Sequence, residues 1–324
     1  MKKQNKLTNK ITKSIIIALL LAILSTYFIG NYFVNYALVP HSGGNNRKVA
    51  QTYKMPPQIV NIQEANKKQQ EQQSINWQRK FTNNEQKIKS DDGYTLYGHT
   101  FTHTQTDKWI IIVHGYQSKE EKTYPIAQHF YDKGYNVLTI SLRAHGKSEG
   151  KYITMGVKEK DDLIKWTQHI IQQNPHADIT YHGTSMGAAT VLMAAGEFND
   201  SHLTKVIADS GYSSVWEIFK SELHKRFSLP SFPILDMSSI VAKMKTGHSL
   251  KEGNVTKYTP HIKAKVLLIH SKTDDFVPEY MAEQIYNTIN AKKQKYITDY
   301  ADHADIKFAY PTQYYNTIHK FMQE

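Results

Sequence analysis

Two hydrophobic patterns follow one another along the chain. From Ile15 to Gly30 apolar residues run with only Ser25 and Thr26 interrupting, and apolar and aromatic residues continue through Tyr32, Phe33, Tyr36 and Val39 to Pro40. A helix from Ile15 to about Val39 is long enough to span about 30 Å of hydrocarbon with some tilt. Beyond residue 84 the pattern changes to short Ile- and Val-rich runs alternating with longer helical stretches. The spacing predicts strands at Lys87–Ser90, Tyr94–Phe101, Trp109–Val113, Asn136–Ser141, Asp178–His182, Leu203–Asp209, Lys265–His270 and Lys295–Thr298. It predicts helices at Glu120–Lys133, Lys158–Gln172, Met186 to about Gly196, near Glu279–Ile289, and at Pro311–Met322. Strands alternating with helices imply a mostly parallel sheet with helices on both faces, while the hairpin signal Asp91-Asp92-Gly93 makes the opening strands antiparallel. Residues 212–262 break the rhythm. Trp216, Phe219, Leu223, Phe227, Leu229, Phe232 and Leu235 stand there at mixed spacing, with prolines between them, which reads as a helical insertion capping the domain.

Lys2, Lys3, Lys6, Lys10 and Lys13 precede the long apolar run with no acid among them. Lysines of this kind stay on the cytoplasmic side and Tyr27, Tyr32 and Tyr36 suit an interface belt, so the rest of the chain is expected outside the cell membrane. A cleaved signal peptide is the competing reading. Its nearest cleavage candidate, Asn35-Tyr36-Ala37, lacks the small residue needed at position −3. The expected division is a basic tail over 1–14, a single transmembrane anchor over 15–39, a polar linker over 40–84 and a folded domain over 85–324. The linker is rich in Gln, Asn and Lys and carries Ser42-Gly43-Gly44 and Pro56-Pro57. Within it Ile59 to Trp77 has the makings of a polar helix, with Trp77 able to dock on the domain.

The formal net charge of +11 suggests nucleic acid until it is mapped. Residues 1–80 hold twelve Lys/Arg and two acids, whereas residues 81–324 hold twenty-eight and twenty-seven. The folded part is nearly neutral, and a nucleic-acid-binding domain carries its basic face there, so no nucleic-acid partner is expected. The chain has no cysteine, which excludes disulfides, cysteine-ligated zinc and a thiol nucleophile.

Gly183-Thr184-Ser185-Met186-Gly187 matches G-x-S-x-G. A serine hydroxyl needs a base to take its proton, and this motif supplies a sharp strand-to-helix turn that throws the hydroxyl outward. The pentapeptide occurs twice, since Gly146-Lys147-Ser148-Glu149-Gly150 also fits. Context separates them: Ser185 follows a strand and precedes a run of small helix-forming residues, whereas Ser148 sits among polar residues. His114-Gly115-Tyr116 ends another strand. An oxyanion hole takes one N–H from the residue after the nucleophile and one from such a loop, which points to Met186 and Tyr116. The strand Lys265–His270 runs into a turn holding Asp274-Asp275-Phe276-Val277-Pro278. Asp274 is the preferred acid, with adjacent Asp275 and the strand-end Asp209 as alternatives. His303 in Asp302-His303-Ala304 follows the last strand and is the preferred base over His319 in the final helix. The order Ser185, Asp274, His303 is the one used by the fold that carries the nucleophile elbow.

Together these elements resemble the α/β-hydrolase superfamily over residues 85–324, and more narrowly the membrane-anchored serine hydrolases of low-GC Gram-positive bacteria. The resemblance implies an α/β-hydrolase fold, a mostly parallel eight-stranded sheet and a reactive serine. Relatives are labelled esterases or kin of prolyl-oligopeptidase-type peptidases. A serine hydrolase of carboxylic esters is therefore expected, with a peptidase using the same residues or a non-catalytic scaffold as alternatives. A small-molecule or lipid ester is the expected substrate, and Phe219, Leu223 and Phe227 are candidates to line an acyl-chain channel, though they serve equally as packing. With no His-Glu-x-x-His and no P-loop, no metal or cofactor is expected. One departure stands out: where relatives read Asp-x-Arg-Gly-x-Gly-x-Ser, this chain has Ser141-Leu142-Arg143-Ala144-His145-Gly146-Lys147-Ser148, a change expected to alter local hydrogen bonding without removing activity.

Overall fold

A computed structural model describes residues 2–41, 52–82, 84–103 and 105–324. The Ser42-Gly43-Gly44 stretch of the expected linker lies outside them. Among the described residues, eight strands form one sheet: β1 (Glu85–Lys89), β2 (Thr95–Phe101), β3 (Lys108–Val113), β4 (Asn136–Ser141), β5 (Asp178–Thr184), β6 (Leu203–Asp209), β7 (Lys265–Ser271) and β8 (Lys293–Thr298). Their order is β1-β2-β4-β3-β5-β6-β7-β8. β1, β2 and β4 pair antiparallel, and every later pairing is parallel. Central strands buried on both faces read as unbroken apolar runs. β3 shows this: Ile111 and Val113 face one hydrophobic cluster and Ile110 and Ile112 the other, because successive side chains point to opposite sides.

Ten helices complete the described residues: α1 (Lys2–Leu38), α2 (Pro57–Gln78), α3 (Tyr124–Tyr131), α4 (Glu159–Gln173), α5 (Met186–Glu197), α6 (Val215–Phe227), α7 (Ile234–Thr246), α8 (Glu279–Thr288), α9 (Ile306–Ala309) and α10 (Pro311–Gln323). Leu163, Trp166 and Ile170 of α4, the small residues of α5, and Met281 and Ile285 of α8 fill one cluster. Ile126 and Phe130 of α3, with Tyr314, Ile318 and Phe321 of α10, fill the other. The helix expected over Glu120–Lys133 is shorter, because Glu120–Thr123 forms a 3₁₀ turn leading into Pro125. Helices α6 and α7 make up the insertion expected at 212–262.

Two N-terminal elements bear on the expected division of the chain. The apolar stretch is one helix with two environments. From Lys10 to Ile29 its residues are exposed apart from the partly covered Thr26, whereas Val34 and Leu38 are buried in the domain. The change comes at Gly30, where a Cβ would stand 2.6 Å from the Met237 carbonyl oxygen of α7. Only a residue without a side chain lets the two backbones come that close. The anchor expected over 15–39 is therefore continuously exposed only to Ile29, and from Gly30 onward it packs on the cap, with Tyr32 alone still exposed. The second is α2, which matches the polar helix expected over Ile59–Trp77 inside the linker and is docked on the domain. Trp77 is buried at its end, with its ring 4.5 Å from that of Phe101 and 5.1 Å from that of Phe81. Edge-to-face and offset aromatic contacts at these distances add to the burial itself.

Candidate functional site

Ser185 occupies the turn between β5 and α5 with φ 58° and ψ −118°, a conformation a side chain rarely adopts. The surrounding backbone enforces it. A Cβ on Gly183 would lie 2.2 Å from the Gly187 carbonyl oxygen, and one on Gly187 would lie 2.2 Å from that of Val113. The Ser185 N–H donates to the Asp209 carbonyl at 2.8 Å, tying the turn to β6. This is the local strain that the spacing of the two glycines makes possible.

Three distant loops meet at this serine. Ser185 Oγ donates to His303 Nε2 at 2.7 Å, and His303 Nδ1 donates to Asp274 Oδ2 at 2.7 Å. The other Asp274 oxygen accepts the N–H groups of Phe276 and Val277 at 2.9 and 2.8 Å, which fixes the carboxylate in its turn. Burial works against ionisation of both side chains, but their mutual attraction outweighs it. The Asp274 carboxyl is held below its usual range and the His303 imidazole above its own. The Phe276 ring stands edge-on to the imidazole at 5.0 Å. The alternative residues are engaged elsewhere. The Oδ2 of Asp275 accepts the Thr52 N–H. Asp209 is buried, accepts from the Tyr314 and Ser210 hydroxyls, and has its pKa raised by burial. His319 pairs with His129 at 2.8 Å. Ser148 donates to the Ser141 carbonyl and accepts from the Tyr97 N–H, a structural role at the β2–β4 edge.

The His114-Gly115-Tyr116 loop passes directly over the serine. A Cβ on Gly115 would lie 3.2 Å from that of Ser185. Two neutral histidines hold the loop. His114 Nδ1 donates to the Gly115 carbonyl while its Nε2 accepts the Leu142 N–H. Burial, then neighbouring His145, keeps its pKa at about 3. His145 Nε2 accepts the Gln117 N–H at 3.0 Å, and its Nδ1 donates to the Arg143 carbonyl. The departing 141–148 loop thus supports the residue after Tyr116, with Ala144 at φ 59° and Arg143 clamped between Asp92 and Asp162. Met186 opens α5, where backbone N–H groups have no partner within the helix.

Sequence reasoning missed the part played by α2. Gln63 Nε2 donates to Asp302 Oδ2 at 2.7 Å, and its Oε1 accepts the Asp302 N–H at 3.1 Å. Lys67 pairs with Asp305 at 2.7 Å, and Asn66 Nδ2 donates to the Phe308 carbonyl. These bonds grip the His303 loop on both sides. Lys67 and Glu71 also line the cleft that holds Ser185 and His303. The sequence signals were the helical pattern from Ile59 to Trp77 and Trp77 itself, and neither pointed to the His303 loop. Phe219, Leu223 and Phe227 do not line that cleft. They line an adjoining apolar cavity, which shares Tyr116, Arg226 and Phe276 with it.

Known proteins share much of this chain. A family model described as serine aminopeptidase, S33, matches residues 104–229. The uncharacterised protein YqkD of Bacillus subtilis (strain 168) is 32% identical over 236 residues, 72% of this chain and 77% of that protein. The solved esterase Pf2001 of Pyrococcus furiosus superposes with a TM-score of 0.61 at 26% identity, over 74% of this chain and 91% of that one. The acylaminoacyl peptidase of Pyrococcus horikoshii is similar in fold, with a TM-score of 0.55 at 17% identity, over 74% of this chain and 41% of that one. Kinship over most of the folded part, joined to the eight-stranded sheet, makes this chain a member of the α/β-hydrolase superfamily.

Proposed function

We propose that the chain is a serine hydrolase that cleaves carboxylic esters through an acyl-enzyme. Ser185 attacks the carbonyl carbon as its proton passes to His303 Nε2. Asp274 holds the imidazole by Nδ1 and stabilises its charged form. The N–H groups of Met186 and Tyr116 receive the developing oxyanion, each worth roughly 2.7–4 kcal/mol of barrier where such donors have been removed. The protonated His303 then delivers its proton to the leaving alkoxide. Water, activated by the same imidazole, releases the acid. The observation that supports this reading is the unbroken array Ser185 Oγ, His303 and Asp274, with 2.7 Å at each contact.

The peptidase reading uses the same residues and draws support from the family model. Two observations favour esters. An apolar cavity lies beside Tyr116, suited to an acyl chain. The acids that line the cleft are already engaged: Glu71 with Lys122, Asp302 with Gln63, Asp305 with Lys67 and Asp275 with the Thr52 N–H. A peptide's free amine would compete there with donors already in place. A fluorophosphonate probe should label the protein at Ser185 and leave Ser185→Ala unlabelled; equal labelling of both refutes the assignment. Matched esters and amides of one acyl group then separate the readings, with faster ester turnover expected.

The same proposal places α1 in the cell membrane from Ile15 onward, with Lys2, Lys3, Lys6, Lys10 and Lys13 on the cytoplasmic side and the catalytic domain outside. It rests on the exposed apolar side chains from Ile15 to Ile29, about 22 Å at 1.5 Å per residue, and on the basic residues before them.

A further inference from the structure

We infer that the last turns of α1 form one wall of an acyl-chain site, and that the substrate is a long-chain ester drawn from the bilayer that holds the rest of that helix. The inference rests on the ester-hydrolase reading and adds the identity of the acyl site.

The cavity beside the catalytic cleft has a volume of about 80 Å³ and an almost wholly apolar lining. Three helices wall it: α1 through Phe33 and Ala37, α6 through Phe219, Leu223 and Phe227, and α7 through Leu235. It meets the cleft at Tyr116, whose backbone belongs to the oxyanion loop, and at Phe276, whose ring abuts His303. Arg226 also stands at this junction, paired with Glu222, so an acyl carbon bonded to Ser185 has a path between its stem, Tyr116 and Phe276 into the apolar cavity and towards α1.

The wall is built in, not laid against the surface. The last carbonyls of a helix have no partner within it. Here the Ala37 carbonyl accepts the Tyr116 hydroxyl at 2.6 Å, and the Leu38 carbonyl accepts the Ile153 N–H at 2.8 Å. Phe33 and Tyr36 meet the Phe227 ring edge-on at 5.3 and 5.4 Å. Tyr36 and Asn35 also accept from Arg226 and Lys245 of the cap. The residue that carries the oxyanion N–H is thus bonded through its side chain to the helix that enters the membrane. A lipid acyl chain moving along α1 reaches the cavity without crossing water.

The test uses the full-length protein in detergent, with soluble p-nitrophenyl esters from acetate to decanoate. Each buried methylene is worth about 0.8 kcal/mol, so kcat/KM should rise up to about fourfold per carbon until the cavity is filled. Ala37→Phe narrows the cavity and should cut the decanoate-to-acetate ratio of kcat/KM at least tenfold. Phe33→Ala widens it and should move the optimum to longer chains. Leu21→Trp, on the exposed stretch, should leave the ratio as it was. Two variants of opposite sign keep the test decisive if one fails to fold. If the parent protein takes a fluorophosphonate but neither variant shifts the chain-length preference, the acyl site is wrong. If the parent is not labelled, the hydrolase reading itself fails. In phosphatidylcholine vesicles, a long-chain fluorogenic ester should be cleaved when it shares a vesicle with the protein and spared when it sits in separate ones. Equal rates in both arms overturn delivery from the bilayer.

Discussion

Replacing Gln63 with alanine tests whether a helix read from sequence as part of a linker positions the catalytic base. Gln63 is buried and makes a reciprocal pair of bonds with Asp302, the residue before His303. One bond runs to a carboxylate, worth about 1.5–3 kcal/mol; the other runs to a backbone N–H, worth about 1 kcal/mol. Asp302 is partly exposed, so water recovers some of this on removal. A loss of about 1.5–3 kcal/mol in the ordering of the loop remains. If that ordering is what presents His303 to Ser185, kcat for a short ester falls roughly 10- to 100-fold, at tenfold per 1.4 kcal/mol. KM should change little, because Gln63 lies behind the loop. The acid limb of the pH profile should keep its position, since Asp274 still holds the imidazole. Gln63→Glu should be worse, because it sets a second carboxylate against that of Asp302 at a contact of 2.7 Å. Steady-state kinetics on the purified full-length protein reads all three quantities. A Gln63→Ala enzyme within twofold of the parent in kcat would refute the positioning role and leave α2 as passive cover.

Asp274→Asn should lower kcat/KM by roughly 10³- to 10⁴-fold, as expected for loss of the group that fixes the imidazole tautomer. The pH profile carries a second signature. In the proposed mechanism His303 acts as base when neutral, and Asp274 raises its pKa, so the parent's activity should fall with acid through a midpoint above the ordinary histidine value of about 6.5. In the variant that midpoint should move down; an unmoved midpoint would show that another group sets it. Trp77→Ala removes a buried ring packed on Phe101 and Phe81 and should cost about 3–5 kcal/mol, read by denaturant unfolding. A cost below about 1 kcal/mol would mean that α2 is not docked in solution.

The sheet and the meeting of three loops were legible because each rests on a local signal. Two-sided burial makes β3 and β7 read as apolar runs, and the glycines around Ser185 mark a backbone passage that nothing larger fits. The choice of Asp274 over Asp275 followed from the turn that ends at Pro278, where the first aspartate accepts the N–H groups two and three residues on. The grip of α2 was not legible. It works through Gln63, Asn66 and Lys67, and a hydrogen-bond partner 239 residues away leaves no trace in hydrophobic periodicity. Nor does composition tell lipid from protein. The cap and a bilayer accept the same apolar side chains, so the passage of α1 from its exposed stretch to the cap is marked by little more than Gly30.

The continuity of α1 bears on how this protein is prepared. Trimming a hydrophobic leader to obtain a soluble enzyme normally discards nothing that catalysis uses. Here a cut before residue 40 would strip Val241 and Phe227 of their cover and leave the Tyr116 hydroxyl without its acceptor. The shortened protein would present a fresh greasy face and a loosened His114-Gly115-Tyr116 loop. Low solubility or weak turnover in such a fragment would therefore reflect the missing helix, not an inert active site.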